Sequence, residues 1–174
     1  MINEFEKLCI NRKSIRKFSD KLIEDNKIIQ ILNSVNSAPS AGNLQAYEVI
    51  VVKSKDVIVK LYEAALHQNF IAQAPVVLVF VAKTQESSEQ YGKRGEQLYS
   101  IQDATIACTY AMLACEALDI SSTWVGAFED KKIKEILDCK KGEIPIALLP
   151  IGYTLSNKIS FIHRKDLDEM SREL

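Results

Sequence analysis

The stretch VVLVFVA, residues 76–82, constrains the fold more than any other part of the chain, because it is apolar at every position. A half-exposed strand alternates apolar and polar side chains, so a run without polar positions predicts a strand covered on both faces. Helices must then pack on both sides of the sheet that contains this strand. The β-branched run YEVIVVKS, residues 47–54, predicts a second strand.

Four amphipathic helices are predicted from apolar residues at steps of three and four behind a capping residue. The first ends near Asn11, and its start, Asn3 followed by Glu6, resembles a capping box. The second stops before Pro39. The capping residues are Asn3, Asp25, Ser54 and Asp130. The apolar faces expected for the second and third helices are Ile28, Ile29, Leu32 and Val35, and Val57, Leu61, Ala64 and Ala65.

Residues 103–118, DATIACTYAMLACEAL, predict an apolar helix whose surface is unusually small in side chain. Small residues let another helix approach closely, and so little polar surface indicates burial on most sides. In a domain of this size, such a helix suggests contact with a partner subunit. The small residues are Ala104, Ala107, Cys108, Ala111, Ala114 and Cys115.

The rest of the chain supplies connections, two more strands and a tail. Residues 37–45, SAPSAGNLQ, are rich in turn formers and predict a loop, and the polar residues 83–100 predict a mobile segment. STWVGAF (122–128) and EIPIALLPIGY (143–153) predict strands, and residues 154–174 form a polar tail. Strands and helices therefore alternate without a repeat or linker, which predicts one α+β domain with a central sheet surrounded by helices.

Composition agrees with a single domain over residues 1–174 and limits the classes of partner that the domain is expected to bind. With 47% hydrophobic and 26% charged residues, the chain is long enough to bury a core. The 22 basic and 23 acidic residues nearly cancel, so no overall field attracts nucleic acid or an anionic membrane. No apolar run reaches the roughly 20 residues of a membrane span, and the N-terminus MINEFEKLCI lacks a signal-peptide pattern. We expect a cytoplasmic protein.

The cysteines and histidines give little support to a disulfide or a metal site. The four cysteines contain no C-x-x-C pair, and a chain of this size does not need disulfides, so reduced thiols are expected. The two histidines, His67 and His163, are far apart in sequence and lack a second ligand at helical spacing. We therefore expect no metal.

The segment NRKSIRKF, residues 11–18, gathers four basic residues around one hydroxyl. In an extended conformation Arg12, Ser14 and Arg16 lie on one side, and guanidinium groups with a hydroxyl suit a phosphate. The alternative is a solvated basic surface. The glycine patterns of Rossmann and P-loop folds and the G-x-S-x-G elbow of serine hydrolases are missing. The residues alone thus indicate an anion-binding α+β domain.

The same segment resembles the opening R-x-S-x-R-x-F signature of the nitroreductase family of FMN-dependent oxidoreductases. Four further blocks resemble the family in the same order, so the match extends over nearly the whole chain. The fold that this resemblance implies is nitroreductase-like, with a central mixed or antiparallel sheet surrounded by helices in an intertwined homodimer. The four blocks are APSAGNLQ (38–45), AP before an apolar strand (74–82), residues 103–128, and LPIGY followed by the basic HRKDLDE (149–169).

The resemblance assigns the phosphate of FMN to residues from both ends of the chain. Arg12 and Ser14 would hold the phosphate, and Arg16 would reach the ribityl chain or the pyrimidine edge of the flavin. Among the tail residues, Arg164 is the best match. Register in the tail leaves His163 and Lys165 open, and Lys13 and Lys17 are expected to face solvent.

The resemblance assigns the flavin ring to three other segments. The 39–45 loop would approach the flavin of the partner subunit, and STWVGAF would lie against the isoalloxazine, with the backbone N–H of Val125 or Gly126 directed at N5. Gln68 loosely resembles a flavin-contacting position, and Trp124 belongs either to this wall or to the core. The candidate FMN-binding set is Arg12, Lys13, Ser14, Arg16, Pro39, Ser40, Asn43, Gln45, Gln68, Trp124, Val125, Gly126 and Arg164, and no catalytic side chain is assigned.

The activity implied by the resemblance is a ping-pong transfer of hydride from NAD(P)H through flavin N5 to a nitroaromatic, a quinone or a similar acceptor. One alternative is an FMN-binding carrier or sensor without NAD(P)H turnover. A second is a specialised reductase such as a dehalogenase, and a third is a colourless dimer whose basic segment binds another anion. Ala46 stands where the family usually has a proline after the loop glutamine, which leaves the acceptor open.

Overall fold

A computed structural model describes residues 3–154 and 163–173. In this part of the chain a four-stranded antiparallel sheet of order β1-β2-β4-β3 lies between two layers of helices, as an α+β domain with a central sheet requires. The strands are Tyr47–Val52 (β1), Val76–Lys83 (β2), Ser121–Ser122 (β3) and Glu143–Gly152 (β4). The α-helices are Glu4–Asn11 (α1), Asp25–Asn36 (α2), Lys55–Ala64 (α3), Asn69–Gln73 (α4), Thr84–Arg94 (α5), Ser100–Ala117 (α6), Asp130–Ile136 (α7) and Leu167–Met170 (α8).

The side chains of β2 alternate between two separate cores. Leu78 and Phe80 pack with α2 and α6 on one face of the sheet. Val77, Val79 and Val81 pack with α3, α4 and α7 on the other face. Every residue of β2 except the last is buried. The prediction of a strand covered on both faces is therefore confirmed.

Helices α1 to α3 lie where they were predicted, but two of their buried faces differ from the prediction. The Asn3 side chain accepts the Glu6 N–H (2.7 Å) and caps α1. In α2 two isoleucines are adjacent, and packing on the sheet buries Ile28 and leaves Ile29 exposed. The buried faces are Ile28, Ile31 and Val35 in α2, and Ile58, Leu61 and Ala64 in α3. Asp25 and Asp130 are the first residues of their helices, and the caps are Glu24 and Glu129.

Residues 84–100 are helical, which their polarity did not indicate, and the mobility expected of this segment stays a prediction. Helix α5 is followed by a π-helix at Gly95–Tyr99, and Gly92 (φ 56°) breaks the helical geometry inside α5. The rings of Tyr91 and Tyr99 pack edge to face, with their centres 5.2 Å apart. This polar segment contains two glycines and lacks the apolar stripe by which an amphipathic helix is predicted, so the sequence did not indicate its helical structure.

Helix α6 and strand β4 confirm their predictions, whereas the strand expected at residues 122–128 is mostly absent. Helix α6 buries all six of the small residues expected to line it, so the helix and its burial are confirmed. These residues are buried within one protomer, however, and the contact with a partner subunit that their small size suggested stays a prediction. Of the predicted strand, only Ser122 belongs to β3, and Val125 adds an isolated bridge to Leu148 of β4. The chain therefore leaves the sheet at this point and forms an exposed turn at Gly126 and Ala127.

Candidate functional site

The basic segment, residues 12–18, is held in place by pairing with the short edge strand β3. Ser14 forms a parallel bridge with Ser122, where the Ile15 N–H donates to the Ser122 carbonyl (3.0 Å). The Thr123 hydroxyl donates to the Ile15 carbonyl. Because both backbone groups of Ile15 are bonded, the position of the neighbouring basic residues is fixed by the sheet.

A cavity of about 680 Å³ lies between α1, the start of the basic segment and residues 163–166. Arg12 and Lys13 contribute from one end of the chain and Arg164 from the other, so the two ends meet as the resemblance implies. Lys13 was expected to face solvent, but it is half-buried and lines the cavity. The lining residues are Glu6, Cys9, Ile10, Arg12, Lys13, His163, Arg164, Lys165 and Asp166. We call this space the basic cavity.

One donor in the basic cavity has no acceptor. Arg12 Nη1 is buried, and within residues 3–154 and 163–173 it has no hydrogen-bond partner. Burying such a donor without a partner costs free energy. Burial raises the pKa of the nearby Glu116 carboxyl, and Arg12 and Lys13 act in the opposite direction. An anion bound in the cavity would lie beside the Arg12 side chain, whose guanidinium group can donate charge-assisted hydrogen bonds to it.

Arg16 points to a different group of residues, around the start of α4. Its guanidinium lies 5.9 Å from the centre of the Phe70 ring. Beside Phe70 in sequence, the Gln68 side-chain amide donates to the carbonyls of Ala65 (2.9 Å) and Ala127 (3.0 Å). Gln68 therefore joins α4 to the exposed turn that follows Val125. Of the three residues expected on one side of an extended segment, only Arg12 is among the described lining residues of the basic cavity.

The backbone of Val125 is committed to the sheet. Its N–H donates to the Leu148 carbonyl (2.9 Å), and its carbonyl accepts the Leu148 N–H (3.0 Å). Val125 therefore cannot also direct its N–H at a ligand, and of the two predicted donors Gly126, which is exposed, remains the candidate. Trp124 is half-buried against the core formed with α2 and α6, and its indole Nε1 lies 3.3 Å from the position that a β-carbon on Gly126 would occupy. It therefore belongs to the core and borders the turn.

Two residues of the 39–45 loop that were predicted to contact the flavin, Ser40 and Gln45, make hydrogen bonds that determine the shape of the loop. The Ser40 hydroxyl accepts the Gln45 N–H (2.9 Å), and the Gln45 side-chain amide donates to Asn36 Oδ1 (3.2 Å). Pro39 and Asn43 are exposed. The loop therefore presents these two residues outward, and Ser40 and Gln45 fix its shape.

A second cavity of about 490 Å³ lies between this loop and the start of α6. Its described lining shares no residue with that of the basic cavity, so the two lie at different places on the protomer. The lining residues are Pro39, Ser40, Ala41, Tyr99, Ile101, Gln102, Asp103, Thr105 and Ile106. We call this space the loop cavity.

Sequence reasoning missed several residues that shape these surfaces. Phe70 and Tyr99 gave no signal, because single aromatic residues are common in any core. Asp103 did give one, since it is an acidic residue at the start of an otherwise apolar helix. Among the residues that the structure describes, no three His, Cys, Asp or Glu side chains are arranged to hold a metal ion. No helix in the same residues combines the length and hydropathy that crossing a bilayer requires.

Comparison with known proteins places the chain and its fold in one family. The sequence model of the nitroreductase family matches residues 10–72 and 64–153, and the chain belongs to that family. It is 31% identical to an FMN reductase (NAD(P)H) of Bacillus subtilis over 87% of this chain and 66% of that protein. It is 27% identical to an NADH dehydrogenase of Thermus thermophilus over 83% and 84% of the two chains. The solved structure of an FMN-dependent nitroreductase from Clostridium difficile superposes with a TM-score of 0.80 at 26% identity, over 96% of both chains.

Proposed function

We propose that the protein is an FMN-dependent oxidoreductase that uses NAD(P)H to reduce a nitroaromatic, a quinone or a similar acceptor. The observation that carries this proposal is a cavity to which both ends of the chain contribute basic side chains. One of these residues, Arg12, also has a buried guanidinium nitrogen, Nη1, without a hydrogen-bond partner among the described residues. A dianionic phosphate fits this donor set, because guanidinium groups bind phosphate oxygens through paired N–H donors.

The phosphate end of FMN is bound by Arg12 and Lys13 together with Arg164. His163 and Lys165 line the same cavity and are available as further donors. Charge-assisted hydrogen bonds stabilise a complex by about 1.5–3 kcal/mol each. Two or three such bonds are enough to retain the cofactor without a covalent link.

The ring of FMN lies against the group formed by Arg16, Gln68, Phe70 and the turn at Gly126. Gln68 fixes this turn through its bond to Ala127, so the Gly126 N–H is held in place to donate to the ring. Arg16 supplies positive charge on the same side. When bound, FMN supplies a hydride acceptor at N5 and passes two electrons on to the oxidising substrate.

The site is completed by a second copy of the chain, in a homodimer. Pro39, Ser40 and Asn43 approach the cofactor of the partner, which agrees with the separation of the loop cavity from the basic cavity in one protomer. Helix α1 buries none of its residues within the protomer, and several large apolar side chains on α1 and α8 are exposed, which supports coverage by a partner. These side chains are Phe5, Ile10, Leu167 and Met170.

The test is the absorption spectrum of the purified protein, before and after NADH or NADPH is added without oxygen. We expect bound flavin absorbance that each effective nucleotide bleaches and that a quinone or a nitroaromatic restores. Parallel lines in double-reciprocal plots would then support a ping-pong scheme. Flavin absorbance that neither nucleotide bleaches would favour the carrier or sensor, and failure to bind added FMN would overturn the proposal.

A further inference from the structure

Asp103 is the one buried carboxylate in the described part of the chain. It is 2% exposed, and none of the ion pairs among residues 3–154 and 163–173 includes it. A carboxylate withdrawn from water without a cationic partner is costly unless hydrogen bonds to it offset the cost. Asp103 stands in the first turn of α6, which is a long helix packed on the sheet and therefore a rigid support.

This carboxylate holds the loop that lines the loop cavity. Asp103 Oδ1 accepts the Ala41 N–H at 2.9 Å. Burial raises the pKa of Asp103, and the backbone amides of Ala41 and Ala46 act in the opposite direction. The side chain of Asp103 on α6 therefore holds the loop at Ala41.

The loop needs such support because its own backbone is strained. Gly42, Asn43 and Gln45 have φ values of 56°, 57° and 50°. The left-handed region is unfavourable for a residue other than glycine, and Asn tolerates it better than Gln, so Gln45 above all opposes the observed shape. Contacts from outside the loop must offset that cost.

The position of Asp103 relates this support to the site. Its Oδ2 is buried and has no hydrogen-bond partner within the described residues, and Asp103 is one of the residues that line the loop cavity, together with Pro39 and Ser40. We infer that Asp103 is a positioning residue. It holds the 39–45 loop in the shape that contacts the ring of the flavin bound to the partner subunit. This inference rests on the proposed function. Asp103 itself does not touch the cofactor.

The test compares Asp103→Ala with Asp103→Asn and with Ile133→Val as a control. Ile133 is fully buried in the core on the other side of the sheet, so Ile133→Val lowers stability without touching the loop. In FMN-free protein we expect the Ala41 amide to exchange hydrogen at least about tenfold faster in Asp103→Ala than in the native chain. Asp103→Asn keeps an oxygen acceptor, so protection of Ala41 should persist in it.

Affinity for two flavins provides the second measurement. Riboflavin lacks the phosphate, so a fault in the loop should weaken FMN and riboflavin by the same factor, about tenfold in Asp103→Ala. Asp103→Asn should stay within about threefold of the native chain, and Ile133→Val should not change either affinity.

The outcomes separate the two proposals. If the native chain fails to bind FMN, the proposed function fails, and so does the cofactor part of this inference, whereas Ala41 exchange still reports on the loop. If the native chain binds FMN but Asp103→Ala weakens it no more than Ile133→Val, or weakens FMN without riboflavin, the positioning role is overturned. Should Asp103→Ala not fold, rapid Ala41 exchange in Asp103→Asn would overturn it instead.

Discussion

The hydroxyl of Tyr91 occupies the space into which a side chain on Gly42 would have to extend. A β-carbon at Gly42 would overlap this hydroxyl and would lie 3.3 Å from Tyr91 Cζ. Helix α5 thus packs on the 39–45 loop, and Asp103 on α6 holds the loop through Ala41. The loop is therefore clamped between two helices of its own protomer.

We expect Gly42→Ala to destabilise the protein for two separable reasons. The φ of 56° costs alanine about 1–2 kcal/mol, and the overlap with Tyr91 adds to it. Tyr91→Phe removes the hydroxyl but keeps the ring beside Tyr99, so the double variant should recover part of the loss. Urea unfolding of the two single variants and the double variant measures this. Strict additivity would show that the Tyr91 contact is not responsible.

The basic cavity makes a prediction about ligand selectivity. Arg12→Ala or Arg164→Ala should weaken FMN by about 10- to 100-fold, because each removes about 1.5–3 kcal/mol of charge-assisted bonding. Neither should alter the affinity for riboflavin. Lys17→Ala is the matched control, since Lys17 is an exposed basic residue of the same segment. Fluorescence titration measures all these affinities, and an equal loss in Lys17→Ala would mean that overall charge, rather than the cavity, binds the phosphate.

The buried thiols of α6 should be inert in the folded protein. Burial raises the pKa of Cys115 to about 12 and raises that of Cys108 as well. Little of either thiol is then ionised near neutral pH, and the thiolate is the reactive form. We expect alkylation, followed by mass spectrometry, to modify Cys108 and Cys115 only after unfolding. Modification of either residue in the folded protein at the rate found after unfolding would contradict this.

Tyr153 should make stability depend on pH in the acid range. Its hydroxyl donates to Glu24 Oε2 (2.5 Å) and accepts a bond from Lys27 Nζ (3.0 Å). The bond from Tyr153 is the main reason that the pKa of Glu24 lies below its usual 4.5. A lowered pKa stabilises the fold above the unfolded-state value, and the stabilisation is lost as pH falls through the folded-state value.

Tyr153→Phe should therefore be less stable than the native chain at pH 7, and the difference should shrink below pH 4.5. Part of the difference in unfolding free energy should remain at low pH, because Lys27 stays charged there and Tyr153→Phe removes the hydroxyl that accepts its hydrogen bond. Tyr47→Phe is a suitable control, since the Tyr47 hydroxyl donates to the Val35 carbonyl (3.1 Å) and to no carboxylate. Urea unfolding at several pH values measures the free energies. A difference that stays constant from pH 7 to pH 3 would refute the role of Glu24.

The parts of the fold that could be predicted are those where one signal dominates. β2 is apolar at all but its last position, and α6 has a long run of small residues, so each had one reasonable interpretation. The buried face of α2 had two reasonable interpretations, because Ile28 and Ile29 are adjacent and only packing on the sheet decides which of them is buried. Residues 83–100 fold by packing on the rest of the chain rather than through an apolar stripe, and no local pattern reveals this.

Part of the basic cavity could be predicted from the sequence, whereas the arrangement of the other candidate residues could not, and their role in binding FMN stays a prediction. The sequence indicated that Arg12 and Arg164 belong together, and they line one cavity. The sequence did not indicate that the Val125 N–H would donate to the Leu148 carbonyl, because backbone pairing depends on the path of a distant strand. Nor did it show that Ser40 and Gln45 bond within their own loop.

The separation of the basic cavity from the loop cavity has a genetic consequence if each site draws on both chains. A subunit changed at Arg12 and another changed at Asp103 would each, as homodimers, bind FMN weakly at both sites and be largely inactive where FMN is scarce. Paired together, they would form one site that carries both defects and one that carries neither. Two loss-of-function alleles would then complement each other, with activity approaching half of normal in the mixed dimer.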